Sequence, residues 1–442
     1  MSFDVRQQPN QVDDNWLSQA IIAKLGEENL FALGSNTYHF KGSWRLLDTV
    51  AFKNLVREQV ALLNKQRAAA NLKEKPITAN LVNSVSALLA MQIAKIDLRL
   101  NGGDPNTVGC ANGDVVLNKQ TWELRGPRKE DYRICRIPHA FDPDATAPRF
   151  ETFLDEVFQP DLDAADKKEL LLQMMGYGLM AHCQYERFLI AVGSGANGKS
   201  VAFNVMGDLA GARNTAAVHP ALFSNNHHRA QLDQKLLNII TESEQGGKLP
   251  AAELKALVSG EMMTVDRKHK DPYEMHPFAT ILWATNHMPH PSDYSDAVFR
   301  RAGILTFNRT FSLQERDAQL QTKLQKEMSG ILNLALQAYA RAVTGGFVEP
   351  ASSKAAKDEW RVQSDTVALW LSECEMADGS SLGVKHCYDA FRTWANSAGV
   401  KQIPALKTFS QRVERLRIQK TKTSQGMVFD GIKVAAAEER SG

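Results

Sequence analysis

Apolar positions recur along this chain with two periods. Helical spacing marks WLSQAIIAKL and AFKNLVREQVALL near the start, while YHFKGSWRLL and NGDVVLNKQTWELR read as short strand-like pieces. Together they predict a small α+β region over residues 1–155 in which nothing looks catalytic. A helix with a broad apolar face, KKELLLQMMGYGLMA, comes next, followed by a strand from Arg187 to Val192. Further apolar strands, LLNIIT, ATILWAT and GILTF, alternate with loops and helices up to about residue 345. That alternation predicts a parallel sheet with helices on its faces. One long helical tract, SLQERDAQLQTKLQKEMSGILNLALQAYARAV, closes the zone. The Gly, Pro and Ser of TGGFVEPASSKAAKDEW mark a linker over 346–364. Residues 365–442 then read as three helices and a short hairpin.

Charge and cysteine usage narrow the function classes. Lys plus Arg exceed Asp plus Glu by 52 − 50 = 2 in 442 residues, so any nucleic-acid surface must be local. One such patch stands out. Residues 401–425 carry Lys401, Lys407, Arg412, Arg415, Arg417, Lys420 and Lys422 against Glu414, a net +6. Phe409, Val413 and Leu416 recur on one face of that helix, leaving Lys407, Arg412 and Arg415 to point elsewhere. The five cysteines form no CxxC pair, which argues against a zinc module or a disulfide framework. The polar start is no signal peptide, and no stretch approaches the roughly 20 apolar residues of a membrane span. The expected location is the cytoplasm, without membrane partners.

Between the strand at 187–192 and an amphipathic helix stands Gly193-Ser194-Gly195-Ala196-Asn197-Gly198-Lys199-Ser200-Val201, which fits the G-x-x-x-x-G-K-[ST] phosphate loop (P-loop). Glycines let backbone N–H groups turn towards phosphates, and the helix start favours the same anion. Lys199 is expected to reach the β and γ phosphates of ATP, with the Ser200 hydroxyl on Mg²⁺. Hydrolysis needs a carboxylate at a neighbouring strand end, and LLNIITESEQGG supplies Glu242 and Glu244. One would hold Mg²⁺ through water (the Glu242 position is a candidate ligand) while the other polarises the attacking water; the sequence leaves their roles open. Asn286 ends the ATILWAT strand and can orient the lytic water. Arg300, just before GILTF, can stabilise the transferred phosphoryl group from a neighbouring subunit. Taken singly, each has a bland alternative: an acidic turn, a turn asparagine, a surface arginine pair. Asn226-His227-His228-Arg229 lacks a carboxylate or Cys at ligand spacing and reads as a polar loop, and Trp283 reads as core.

In order and spacing, these motifs resemble superfamily 3 helicases of viruses, phages and plasmids. The stretch from about 105 to 310 is similar to the helicase module of phage and plasmid primase-helicases, through ANGDVVL, ATAPRFETFLDEV, MMGYGLM, GANGKS, SEQG, WATNHMP and FRRAGILTF. Val265-Asp266-Arg267-Lys268-His269-Lys270 resembles the central-channel hairpin of papillomavirus initiator helicases. The acidic motif departs from the pattern, because Ser243 separates its two glutamates. The resemblance implies an α/β, AAA+-type ATPase core, an N-terminal collar and a hexameric ring that binds ATP and Mg²⁺ between subunits. It also implies that Lys268, His269 and Lys270 track single-stranded DNA at a fork. The C-terminal zone resembles a winged-helix domain, with Lys407, Arg412, Arg415, Lys420 and Lys422 on DNA. Only about 100 residues precede ANGDVVL, so a separate primase or polymerase is the expected partner, in a bacterial host cell. Two rivals remain: a DNA-binding initiator or loader that uses ATP as an assembly switch, and a small-molecule kinase. The kinase explains neither DRKHK nor the basic C-terminal zone.

Overall fold

The computed structural model describes residues 12–241, 248–268, 271–291, 296–398, 400, 403–424 and 426–433. Three helices, Asp14–Leu25, Thr49–Ala69 and Ala79–Gln92, pack on one another beside an antiparallel sheet of Leu30–Leu33, Asn36–Phe40 and Trp44–Leu47. The first two helices open on Asp13 and Asp48, whose carboxylates accept backbone N–H groups of the first turn and satisfy donors that the helix leaves unpaired.

A second antiparallel sheet, Thr107–Cys110, Gly113–Asn118 and Thr121–Arg125, contains the ANGDVVL segment. Its aspartate is structural. Asp114 is fully buried, 2.6 Å from Arg136 and 3.9 Å from Arg133. The two guanidiniums also donate to the carbonyls of Thr107, Gly102, Cys110 and Gly113. Removing the carboxylate would strand two largely buried cations. Asp114→Ala should therefore lower unfolding stability by about 3–5 kcal/mol, read as a shift of the urea midpoint. An unchanged midpoint would mean that the arginines are neutralised elsewhere.

The centre of the molecule is a five-stranded sheet. We label its strands β1 (Phe188–Val192), β2 (Thr215–Ala216), β3 (Leu237–Ile240), β4 (Thr280–Thr285) and β5 (Ala302–Thr306). Their order is β5-β1-β4-β3-β2, and every pairing is parallel. Alternate residues feed two cores, because strand side chains point to opposite faces. Leu189, Ala191, Leu282 and Leu305 join helices 164–177, 199–210 and 328–345 on one side. Phe188, Ile190, Ile281, Trp283 and Ile304 join helix 251–259 and Trp360 on the other. Burial on both faces accounts for the nearly continuous apolar strands. Gly176 lets helix Ala164–Tyr177 approach helix Met328–Gly345, since an added Cβ would collide with the Ala335 carbonyl oxygen.

The later chain departs from the sequence expectations in several places. The long tract is two helices, Leu320–Gln325 and Met328–Gly345, parted at Glu327. Glu327 leaves the helical path to accept the backbone N–H groups of Arg149 and Phe150, both at 3.0 Å, at the open start of helix Pro148–Phe158. The segment read as a linker over 346–364 contains the helix Ala351–Ser364, which packs on β5 and buries Trp360. The C-terminal zone holds an unforeseen strand. After helix Thr366–Ser372, Glu375–Gly383 pairs with Gly426–Lys433, which also pairs with Lys420–Thr423. Helices Val384–Ser397 and Leu406–Arg415 pack on that antiparallel sheet through Phe391, Phe409 and Val413. Leu416, expected on the apolar face, is instead 39% exposed, because the helix ends one residue before it. Among the described residues, no helix is long and apolar enough to cross a membrane.

Candidate nucleotide and nucleic-acid site

At the carboxyl end of β1 the chain turns through Gly193–Gly198 into the helix Lys199–Ala210, which we call α1. Positive φ values at Gly195, Ala196 and Gly198 (107°, 49° and 90°) curl this turn. Glycine adopts such values without a Cβ clash; Ala196 is held there by its carbonyl, which accepts the Phe311 N–H at 2.8 Å. At Gly193 an added Cβ would collide with the Asn197 side chain and the Phe307 carbonyl. No side chain caps the start of α1, so its first N–H groups face the turn without a side-chain acceptor. Ser194 and Ser200 are exposed, whereas Val201 packs against the larger core.

Lys199 is buried at 6% exposure. Its ammonium donates to the Gly193 carbonyl at 2.6 Å, Asn197 Oδ1 at 3.0 Å and Asn286 Oδ1 at 3.4 Å. All three acceptors are neutral. Burial holds this lysine below its usual pKa, as expected for a cation out of water. A desolvated cation with neutral partners, at an uncapped helix start, is suited to an anion with several oxygens.

Asn286 follows β4, and β4 lies directly between β1 and β3 in the sheet. That order, invisible in the sequence, brings Asn286 to Lys199 across 87 positions of chain. The two glutamates that follow β3, Glu242 and Glu244, lie outside the described residues. The adjacent arginines separate. Arg301 is 9% exposed, 2.6 Å from Glu186, and donates to the Ala297 carbonyl and Ser259 Oγ. Arg300 is exposed and makes no hydrogen bond or ion pair among the described residues.

The DRKHK segment begins the turn of an antiparallel hairpin, Met263–Val265 with Tyr273–Met275. Asp266 and Arg267 face the body of the protein. Arg267 donates to Asp233 at 3.1 Å and lies over the Tyr273 ring, 5.2 Å from its centroid. The Tyr273 hydroxyl donates to the same carboxylate at 3.1 Å. Burial, with Asp233 beside it, pushes the Tyr273 phenol up to about 12, so it remains a donor at neutral pH. Lys268 is exposed at the tip, and His269 and Lys270 fall outside the described residues. The NHHR stretch forms a short helix, Asn226–Arg229, in which His227 Nδ1 lies 3.3 Å from Asp266. Among the described residues no cluster of His, Cys, Asp or Glu could hold a metal ion. Asp233 and His227 were missed as hairpin braces because each partner lies more than 30 positions away.

The C-terminal charges divide in the same way. Lys407, Arg415 and Lys422 are exposed. Arg412, expected to point outward, is turned towards Asp365 at 3.7 Å. Lys420 donates to Ser410 Oγ at 2.7 Å and to Glu414 at 3.0 Å. Three of the five expected DNA contacts therefore stand free of these internal pairings.

Together these features define a parallel α/β protein with a glycine turn and a buried lysine at the open end of its sheet. Residues 19–159 match the family described as "D5 N terminal like", and residues 191–301 match a "Family of unknown function (DUF5906)". The fold is similar to "The A form apo structure of NrS-1 C terminal region-CTR", with a TM-score of 0.52 and 10% identity. That match covers 96% of this chain and 100% of that one. "The apo structure of NrS-1 C terminal region (305-718)" aligns over the same shares with a TM-score of 0.48 and 12% identity.

Proposed function

We propose that this chain is a phage-type replication protein whose core is an ATP-driven, ring-forming DNA helicase. The observation that carries the reading is Lys199, a buried ammonium held by neutral oxygens where a glycine turn meets a helix start. A triphosphate supplies the missing negative charge, replacing the Gly193 carbonyl as the lysine's main acceptor. Asn286, already within reach of Lys199, orients the attacking water. Arg300 is exposed on its own subunit, as a residue completing a neighbour's site must be. Ser200 and Glu242 are the residues that would hold Mg²⁺, which would neutralise charge developing on the phosphoryl group. The match of residues 19–159 to a D5-type N-terminal family agrees with this reading.

On this reading, Lys268 and His269 track one strand of a fork inside a hexamer, and the C-terminal domain, in a winged-helix role, holds DNA through Lys407, Arg415 and Lys422. ATP-dependent displacement of a labelled strand from a forked substrate tests it. DNA binding and ATP turnover without displacement would instead favour an ATP-switched loader.

The C-terminal contribution has its own test. The cut belongs after Ser364, because one at residue 350 would remove Trp360 from the core. Loss of residues 365–442 should leave basal ATPase intact and weaken duplex binding. The slope of log K against log salt should fall by about 0.9 per lost phosphate contact, or between two and three units for three cations. An unchanged slope would remove this domain from the DNA interface.

A further inference from the structure

We infer that Trp360 is a positioning residue for Arg300, making helix Ala351–Ser364 a working part of the ATP site rather than a tether. The inference rests on the reading of Arg300 as a group donated to a neighbouring subunit. Trp360 is 1% exposed, the most deeply set large side chain of its helix. Its ring meets Phe299, the residue before Arg300, edge-on with centroids 4.8 Å apart. Its indole N–H donates to the Pro289 carbonyl at 2.6 Å, three residues beyond Asn286. Arg361 lies over the same Phe299 ring at 5.3 Å. One residue further on, Arg301 is fixed by Glu186 and Ser259.

Arg300 therefore projects from a backbone gripped on both sides, by Phe299 under Trp360 and by Arg301 in its own ion pair. The helix is itself anchored, since Ser353 Oγ accepts the Ile304 N–H of β5 at 3.0 Å. An exposed arginine on a free loop would sample many directions. Here the short helix Asp296–Phe299 is pinned, so the guanidinium leaves the surface from a fixed root. A finger that must enter another subunit's site depends on such fixing, because misplacement by about 1 Å can cost about 100-fold in rate.

The test uses the full chain and mixed-subunit ATPase. Trp360→Phe keeps a ring against Phe299 but loses the bond to Pro289. Maximal turnover should fall about tenfold to 100-fold while nucleotide affinity, set by the Lys199 loop, stays unchanged. Mixing Trp360→Phe with Lys199→Ala subunits should restore activity, because some interfaces pair an intact loop with an intact finger. Mixing Trp360→Phe with Arg300→Ala should restore none, since both lesions damage the same donated group. Arg361→Ala, at a largely exposed site, should reproduce a smaller loss in the same pattern; it carries the test if the Trp360 variant does not fold. Wild-type turnover in the variants, or rescue of Trp360→Phe by Arg300→Ala subunits, overturns the positioning role. If Arg300→Ala and Lys199→Ala fail to complement each other despite subunit exchange, the finger itself is lost, and the inference with it.

Discussion

Replacing Lys199 with Ala should lower ATP turnover by about 100- to 1,000-fold, the usual cost of one charge-stabilising donor. Nucleotide affinity should fall as well, by about tenfold to 100-fold, because a hydrogen bond to a charged group contributes roughly 1.5–3 kcal/mol. The expected effect on stability has the opposite sign. In the structure this ammonium is desolvated and meets the oxygens of Gly193, Asn197 and Asn286. A neutral side chain of similar length removes the desolvation cost, so Lys199→Met should melt at or above the wild-type temperature. Turnover and melting measured on the same preparation decide the matter. A fall of several degrees with the loss of activity would make Lys199 a structural residue and undo the nucleotide reading.

On the helicase reading, the double variant Lys268→Ala/His269→Ala should separate ATP turnover from strand displacement. Neither change touches Lys199, Asn286 or Arg300, so basal ATPase and assembly should persist. Stimulation by single-stranded DNA and displacement at a fork should both disappear. Total DNA affinity should drop only in part, because Lys407, Arg415 and Lys422 remain to hold the backbone. Asp266 and Arg267 belong to the hairpin's foot, so they stay unaltered in this test. Fork displacement at the wild-type rate would show that the resemblance of DRKHK to a channel hairpin reflects charge alone.

How much of this was legible in the sequence depends on where each element's energy comes from. Strands β1, β3, β4 and β5 could be read because both faces are buried, which demands apolar residues at nearly every position. Their order could not be read, and neither could the approach of Asn286 to Lys199 that the order brings about. Glu375–Gly383 escaped notice because EMADGSSLG has neither alternation nor β-branched residues; its place comes from backbone pairing with Gly426–Lys433. The helix Ala351–Ser364 was hidden by the Gly and Pro before it and by its many small and charged residues. The break at Glu327 answers a demand made 177 positions away, the uncapped start of helix Pro148–Phe158. Charge could be counted but not located. Seven basic residues over 401–425 gave the C-terminal patch, yet only the fold separates Lys407 from Arg412, which Asp365 draws inward.

The Asp233 brace has a mechanical consequence. Asp233 lies four residues before β3 begins, so the foot of the hairpin is bolted to the strand that runs towards Glu242 and Glu244. A pull on Lys268 is borne at its foot by two hydrogen bonds on the Asp233 carboxylate and by the contact of the Arg267 guanidinium with the Tyr273 ring. The foot cannot part from this segment unless Arg267 and Tyr273 both let go of Asp233. A displacement of the hairpin's foot is therefore passed to the segment that leads into β3.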